Sequence, residues 1–249
     1  YFVDAYEKKE LPHFFKASAI LALAAVVGVC VNISNLYHTY EYSKETMRGK
    51  SELRQEGPAA NQTSSGLDRD YITNWSYGIG ETLTLLVPNV KGGGCSTTLS
   101  QNETAMAKAN PMYGNLYSQL TPYFGDQPWT AGPVYVRAFV VFLFILGCFI
   151  VKGPLKWALL GASIFSILLS WGKNFMGLTD FFIDYIPMYN KFRAVSSILV
   201  IAEFTIPLLA IFALKEILSK PDILKLKENR TGVIVTLVLT AGVCLLYTS

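Results

Sequence analysis

Five long apolar runs, too many and too long for the core of a small soluble domain, decide what this chain can become. They cover residues 17–36, 134–151, 155–171, 195–214 and 232–249, the last of them truncated by the end of the sequence. With about 1.5 Å of rise per residue, helices of this length approach or reach the ~30 Å hydrocarbon thickness of a bilayer. Buried strands are usually shorter, about four to eight residues, so helix is the expected state. The fold class expected is an all-α polytopic membrane protein with about five transmembrane helices in this fragment, plus a long extracytoplasmic loop with short helices. Composition agrees. The chain is 51% hydrophobic and 16% charged, against roughly 25% charged in soluble domains. A net charge of +3 is too small a surplus to point to nucleic acid.

The basic residues sit beside the apolar runs, where they report orientation. With residues 1–16 as a cytoplasmic stub, the inner flanks hold Lys8, Lys9, Lys16, Lys152, Lys156, Lys215, Lys220, Lys225, Lys227 and Arg230, ten in all, against Lys173, Lys191 and Arg193 in the short outer loop. Residues 37–133 and 172–194 are then extracytoplasmic and 215–231 cytoplasmic. Lys152-Gly153-Pro154 joins the second and third runs as an antiparallel hairpin. The chain starts Tyr1-Phe2-Val3 and stops at Ser249 beside an apolar run, which reads as an internal piece of a larger protein.

The long polar region is too extended for a simple connection and calls for structure of its own. Ser43–Gln55 is charged and suits a surface helix, Pro58–Ser65 a flexible linker, and Asn110–Leu120 a short helix. Leu83, Leu86 and Val87 have helical spacing, which suits Gly80–Val90 to the membrane surface. Lys91-Gly92-Gly93-Gly94 lacks the Gly-Lys-Ser/Thr of a phosphate loop and reads as a flexible turn. Asn61-Gln62-Thr63 and Asn102-Glu103-Thr104 match glycosylation sequons, a pattern short enough to arise by chance. His13 and His38 flank the first run at opposite ends, so no metal site is expected from them, and no HExxH, CxxC or nucleophile elbow occurs.

Chemistry concentrates at three places. Phe181, Phe182, Ile183, Ile186, Met188 and Phe192 are too apolar for a solvated loop and suit the interfacial zone. Beside them, Lys191 and Arg193 suit recognition of a phosphate, which a guanidinium binds bidentately and an ammonium binds as a point charge. Interfacial snorkelling with an ion pair to Asp184 is the alternative. In the fourth run Glu203, four residues before Pro207, is either a polar relay inside the bundle or a protonated carboxyl bonded to a neighbouring helix. Trp75, Tyr77 and Glu81 suit a sugar-binding loop, since aromatic faces stack on sugar C–H surfaces and a carboxylate accepts hydroxyl hydrogen bonds. The same aromatics also suit an interfacial belt.

The run Trp75-Ser76-Tyr77-Gly78-Ile79-Gly80-Glu81-Thr82-Leu83, followed by Leu86-Val87-Pro88-Asn89 and the glycines at 92–94, resembles an outer-loop motif of the YfhO family of bacterial membrane proteins. Pro122-Tyr123-Phe124-Gly125 leading into Gly132-Pro133-Val134-Tyr135 is similar to the family too. So are Ser170-Trp171-Gly172-Lys173-Asn174 and Pro187-Met188-Tyr189-Asn190-Lys191-Phe192-Arg193-Ala194-Val195-Ser196. The variant looks most like Bacteroidetes members, and the resemblance spans essentially the whole fragment. It implies a GT-C-like glycosyltransferase of the bacterial cytoplasmic (inner) membrane. Such an enzyme takes sugar from a polyprenyl-phosphate donor on the extracytoplasmic face and passes it to an envelope glycan or lipid. By the same resemblance Lys191 and Arg193 become lipid-phosphate candidates and Glu81 an outer-loop carboxylate, while the catalytic base is expected upstream of this fragment and Asp180 and Asp184 are not promoted to that role. Arg137 stands where the family tends to carry a small residue. A transporter or flippase for a lipid-linked substrate, and a non-catalytic envelope scaffold, are the alternatives. Sugar, acceptor and any divalent metal are left open by the sequence.

Overall fold

The computed structural model describes residues 2–46, 48–49 and 66–248, so the Pro58–Ser65 linker and the Asn61 sequon lie outside the described residues. The chain divides into two units, residues 1–67 and 68–249. Helices and turns make up both, with no strand among the described residues beyond one isolated bridge between Val90 and Gly92.

The first unit holds α1 (Phe2–Glu7), α2 (Leu11–Val31) and α3 (Ile33–Lys44). Pro12 stands in the first turn of α2, where its missing N–H costs nothing. That is why the helix starts six residues before the apolar run does. Asn32 separates α2 from α3, so the polar end of the first apolar run belongs to the next helix.

The second unit is built from α4 (Arg69–Ile72), α5 (Glu103–Lys108), α6 (Gly114–Tyr117), α7 (Ala138–Ile150), α8 (Leu155–Ser170), α9 (Met176–Tyr185), α10 (Leu199–Ser219) and α11 (Lys227–Thr248). Among the described residues three helices are long and apolar enough to cross a membrane: Leu11–Val31, Val195–Ser219 and Glu228–Leu245. The α8–α9 pair makes a fourth if its 109° bend belongs to one broken span. This is the architecture of a multi-pass membrane protein. The second apolar run forms only 13 helical residues, about 20 Å of rise.

That shortening has a local cause at Arg137. Its φ of 81° and ψ of 135° fall in a region that only glycine enters freely. Val134–Val136 therefore run on as irregular chain, and the helix begins after the break. This is the position where the resemblance led us to expect a small residue. Arg137→Gly is expected to stabilise the protein by about 1 kcal/mol, the relief of a positive φ less the added freedom of the unfolded chain. In detergent the melting temperature should rise by about 2–4 °C; an unchanged or lowered value would show that the backbone is not strained there.

α7 and α8 follow one another through Gly153, whose φ is +104°, yet they make few contacts with each other. Both pack instead on α10, and α11 packs on α7. Small residues make the close approaches. A side chain at Gly147 would press on Leu209 and Ala213 of α10. On α8, Ser163, Ser166 and Ser170 are buried at one helical face. Ser163 shares a hydrogen bond of 2.7 Å with Thr205, and Ser166 donates to the Ile198 carbonyl at 2.6 Å. Small and hydroxyl-bearing residues are the usual means of joining helices where lipid removes the hydrophobic drive between them.

Two apolar clusters fill the bundle. One, around Leu146, Ile150, Leu209 and Ala213, lies toward the α7–α8 turn. The other joins Tyr77 and Leu85 to Val136, Leu199, Ala202 and Ile206. The second corrects the expected membrane-surface placement of Gly80–Val90. Residues Gly80–Leu85 form a 3-10 helix, and Thr84, Leu85, Leu86 and Val87 are buried. Of the residues whose spacing marked an apolar face, Leu86 and Val87 are buried and Leu83 only partly so, while Leu85, outside that set, joins the cluster at the starts of α7 and α10. The glycine turn is corrected likewise. Gly92 (φ +81°) and Gly94 lie so close to the backbone of Pro122 and Ala131 that a Cβ on either would collide with a carbonyl oxygen. Close approach, not flexibility, requires glycine there.

Candidate functional site

The polar segments of the second unit gather where α8 ends and α7 and α10 begin. The ribbon Trp75–Gly78 is their centre. The Tyr77 amide donates to the Ser170 carbonyl at 2.8 Å, and the Ser196 amide donates to the Trp75 carbonyl at 3.2 Å. Ser76, fully buried, accepts from the Lys173 amide at 2.8 Å and donates to the Thr73 carbonyl. Gly172 makes this junction possible: its φ is +43°, and a side chain there would collide with Ser76 and Val195.

Arg193 is exposed and lies over two aromatic rings, 5.0 Å from the centroid of Trp75 and 5.6 Å from that of Tyr71. Its guanidinium also donates to the Tyr71 hydroxyl at 2.8 Å. The two rings and one hydrogen bond position the fork, and among the described residues no other group takes its donors. Ala194, next along, takes a left-handed backbone (φ 64°, ψ 62°), and so does Met188 (φ 68°) at the other end of the turn. Lys191 closes the intervening 3-10 turn Tyr189–Lys191 and is half-buried.

The expected alternative for Asp184, an ion pair with Lys191 or Arg193, is corrected. Arg69 binds both Asp180 and Asp184, each at 2.6 Å. One short helix, α4, thus clamps α9 through Arg69 and steadies Arg193 through Tyr71. Sequence reading passed over Arg69 because it stands between Asp68 and Asp70 and looks like an ordinary surface charge; its partners are more than a hundred residues away.

Of the three sugar-loop candidates, Trp75 is half-buried under Arg193, and its indole N–H donates to the Trp129 carbonyl at 3.2 Å. Tyr77 and Glu81 are each only 2% exposed. Glu81 accepts from the Tyr123 hydroxyl and the Gly78 amide, both at 2.6 Å, and lines a small cleft with Lys91, Tyr123 and Thr130. Tyr77 is hydrogen-bonded to Thr84. Burial pushes the Tyr77 phenol up to about 12. Burial, then the bond to Glu81, raises that of Tyr123 as well. Both hydroxyls therefore stay protonated at neutral pH, and Tyr123 remains a donor to Glu81. Two residues to which no role was assigned from sequence complete the arrangement: Asn174 donates to the Tyr77 carbonyl and to Asp126 Oδ2, both at 3.0 Å.

Glu203 lies one turn into α10 and is exposed, and its charge reaches Tyr77, whose phenol it helps to raise. Pro207 leaves the Glu203 carbonyl without its helical donor, and the helix continues unbroken to Ser219. Among the described residues no group of three or more His, Cys, Asp and Glu side chains is placed to hold a metal ion. Compared with family models, with curated proteins and with solved structures, the chain matches none.

Proposed function

We propose that this chain is part of a GT-C-like glycosyltransferase of the YfhO type, acting on the extracytoplasmic face of a bacterial inner membrane. The donor in this reading is a polyprenyl-phosphate-linked sugar, and the acceptor is an envelope glycan or lipid. The observation that carries it is Arg193, an exposed guanidinium lying over Trp75 and Tyr71 and making one hydrogen bond, to Tyr71, among the described residues. It lies just before the start of a membrane-crossing helix, where a lipid-linked phosphate would sit. The excess of basic residues on the opposite flanks supports the orientation, and the five-span topology belongs to the same proposal.

Transfer breaks the bond between the sugar and a phosphate oxygen, so negative charge grows on the phosphate. A cation already oriented at that point stabilises the transition state without reorganising. Arg193 supplies it in this reading, with Lys191 two residues away as a second charge. Trp75, Tyr77 and Glu81 are the sugar- and acceptor-loop candidates.

The test uses membranes of the host containing the full-length protein. Supplied with labelled polyprenyl-phosphate sugars, they should move label into envelope glycan or lipid, and membranes from a deletion strain should not. Equal transfer with and without the protein overturns the reading. Labelling that puts positions 81 and 193 on opposite faces of the membrane overturns it too.

A further inference from the structure

α4 is a single turn whose side chains tie two other parts of the chain together. Residues two apart on a helix stand about 200° apart around its axis, so Arg69 and Tyr71 leave the turn on nearly opposite sides. Arg69 reaches α9, donating from Nη1 to Asp180 and from Nη2 to Asp184, each at 2.6 Å. Tyr71 reaches the turn that follows α9. Its hydroxyl accepts from Arg193 at 2.8 Å, and its ring lies 5.6 Å from the same guanidinium. Arg193 stands eight residues beyond Tyr185, the last residue of α9. The contacts therefore close a ring that runs from Arg69 to α9, along the chain to Arg193, and through Tyr71 back to α4.

A turn this short does not hold itself. Two backbone bonds close it, from the Ile72 amide to the Asp68 carbonyl and from the Thr73 amide to the Arg69 carbonyl. Beyond its end, Ile72 is fully buried and the Ser76 hydroxyl donates to the Thr73 carbonyl. At its start, Arg69 supplies two ties to α9, and its side chain is only 18% exposed. Isolated surface ion pairs contribute little, but a guanidinium forked onto two carboxylates is a case where geometry counts. Two carboxylates against one guanidinium also leave this cluster negative, so it is no place for an anion. What Arg69 offers a phosphate at Arg193 is position rather than charge.

We propose that Arg69 is a positioning residue for the phosphate site: by tying α4 to α9 it holds the Tyr71 hydroxyl where it directs the Arg193 fork. The role rests on the phosphate-binding reading above. It gives Asp180 and Asp184 a task as well, since they are the far end of the tie and take no part in the chemistry.

The experiment titrates purified full-length proteins in detergent with polyprenyl phosphate. Arg69→Gln is expected to weaken binding by about three- to tenfold, as much as loss of the Tyr71 hydroxyl through which it acts. In a Tyr71→Phe background the same change should weaken binding by less than about a further twofold. Asp184→Asn separates position from charge. It removes a negative charge, so an effect through space would tighten the hold on an anion. Loss of one tie to α9 should instead weaken it, by about two- to fivefold, while Asp180 still pairs with Arg69. Each variant should melt within about 4 °C of wild type. Where wild type binds, the positioning role is overturned, and phosphate binding stands, by any of three results: Arg69→Gln binds as tightly as wild type, its loss multiplies in full with that of Tyr71→Phe, or Asp184→Asn binds more tightly. If wild type binds no polyprenyl phosphate, both fall. Should Arg69→Gln fail to accumulate, Asp184→Asn decides alone, and unaltered or tightened binding overturns the role.

Discussion

Arg193→Ala is expected to weaken binding of polyprenyl phosphate by about 30- to 100-fold. A charge-assisted hydrogen bond contributes about 1.5–3 kcal/mol, and the fork can offer a phosphate two. Part of this is offset because the free guanidinium is well hydrated. Arg193→Lys keeps the charge but loses the fork and the stack over Trp75 and Tyr71, and should recover less than a tenth of the lost affinity. Tyr71→Phe removes one 2.8 Å bond and leaves the ring, so a loss of about three- to tenfold is expected. Arg193 is exposed, so stability should change by less than about 1 kcal/mol. That separates this variant from a general folding defect. Titration of the purified protein with polyprenyl phosphate in detergent, beside a thermal melt, reads both quantities. Unaltered affinity for Arg193→Ala would remove the anion-binding role.

Gly172→Ala should have the largest effect on stability. The new methyl must enter space held by Ser76 and Val195, on a backbone with φ of +43°. A left-handed L-residue costs about 1–2 kcal/mol and overpacking a further 1–3 kcal/mol. We expect a loss of about 2–4 kcal/mol, or roughly 5–10 °C in melting temperature. Gly161→Ala is the matched comparison: it lies in α8, and a Cβ there meets nothing within 4 Å. It should be neutral or slightly stabilising. If the two variants melt together, the tight junction does not exist as described. The collision should also reach the site, because Ser76 carries the Lys173 amide and adjoins Trp75.

The helical skeleton was legible because its signal is local. An apolar run and a helix occupy the same stretch of chain, and α8, α10 and α11 fall where the runs fall. Their ends were less so. The start of α2 depends on Pro12, and that of α7 on the dihedral angles of Arg137; neither leaves a mark on hydropathy. Gly80–Val90 shows why an apolar segment does not name its partner: Leu85 belongs to one cluster with Leu199 and Ile206, and nothing in its own segment distinguishes that from lipid.

The site was legible in part. Arg193 stood out as a cation beside an apolar turn, and Trp75 as an aromatic in a polar loop. Their stacking joins residues 118 apart in sequence and could not be derived from either motif. Arg69, Tyr71, Asn174 and Asp126 were missed as chemistry because each is unremarkable among its neighbours. Only the fold gives Asp180 and Asp184 their partner.

The row of serines on α8 bears on how the molecule can move. Ser163 and Ser166 bind α10 directly, the second through the carbonyl just before that helix starts. Sliding α8 along α10 would break both bonds: Ser163 keeps the Leu159 carbonyl of its own helix at 2.9 Å, but the Ser166 hydroxyl would lose the Ile198 carbonyl where no water can take its place. The two helices should therefore travel as one plate.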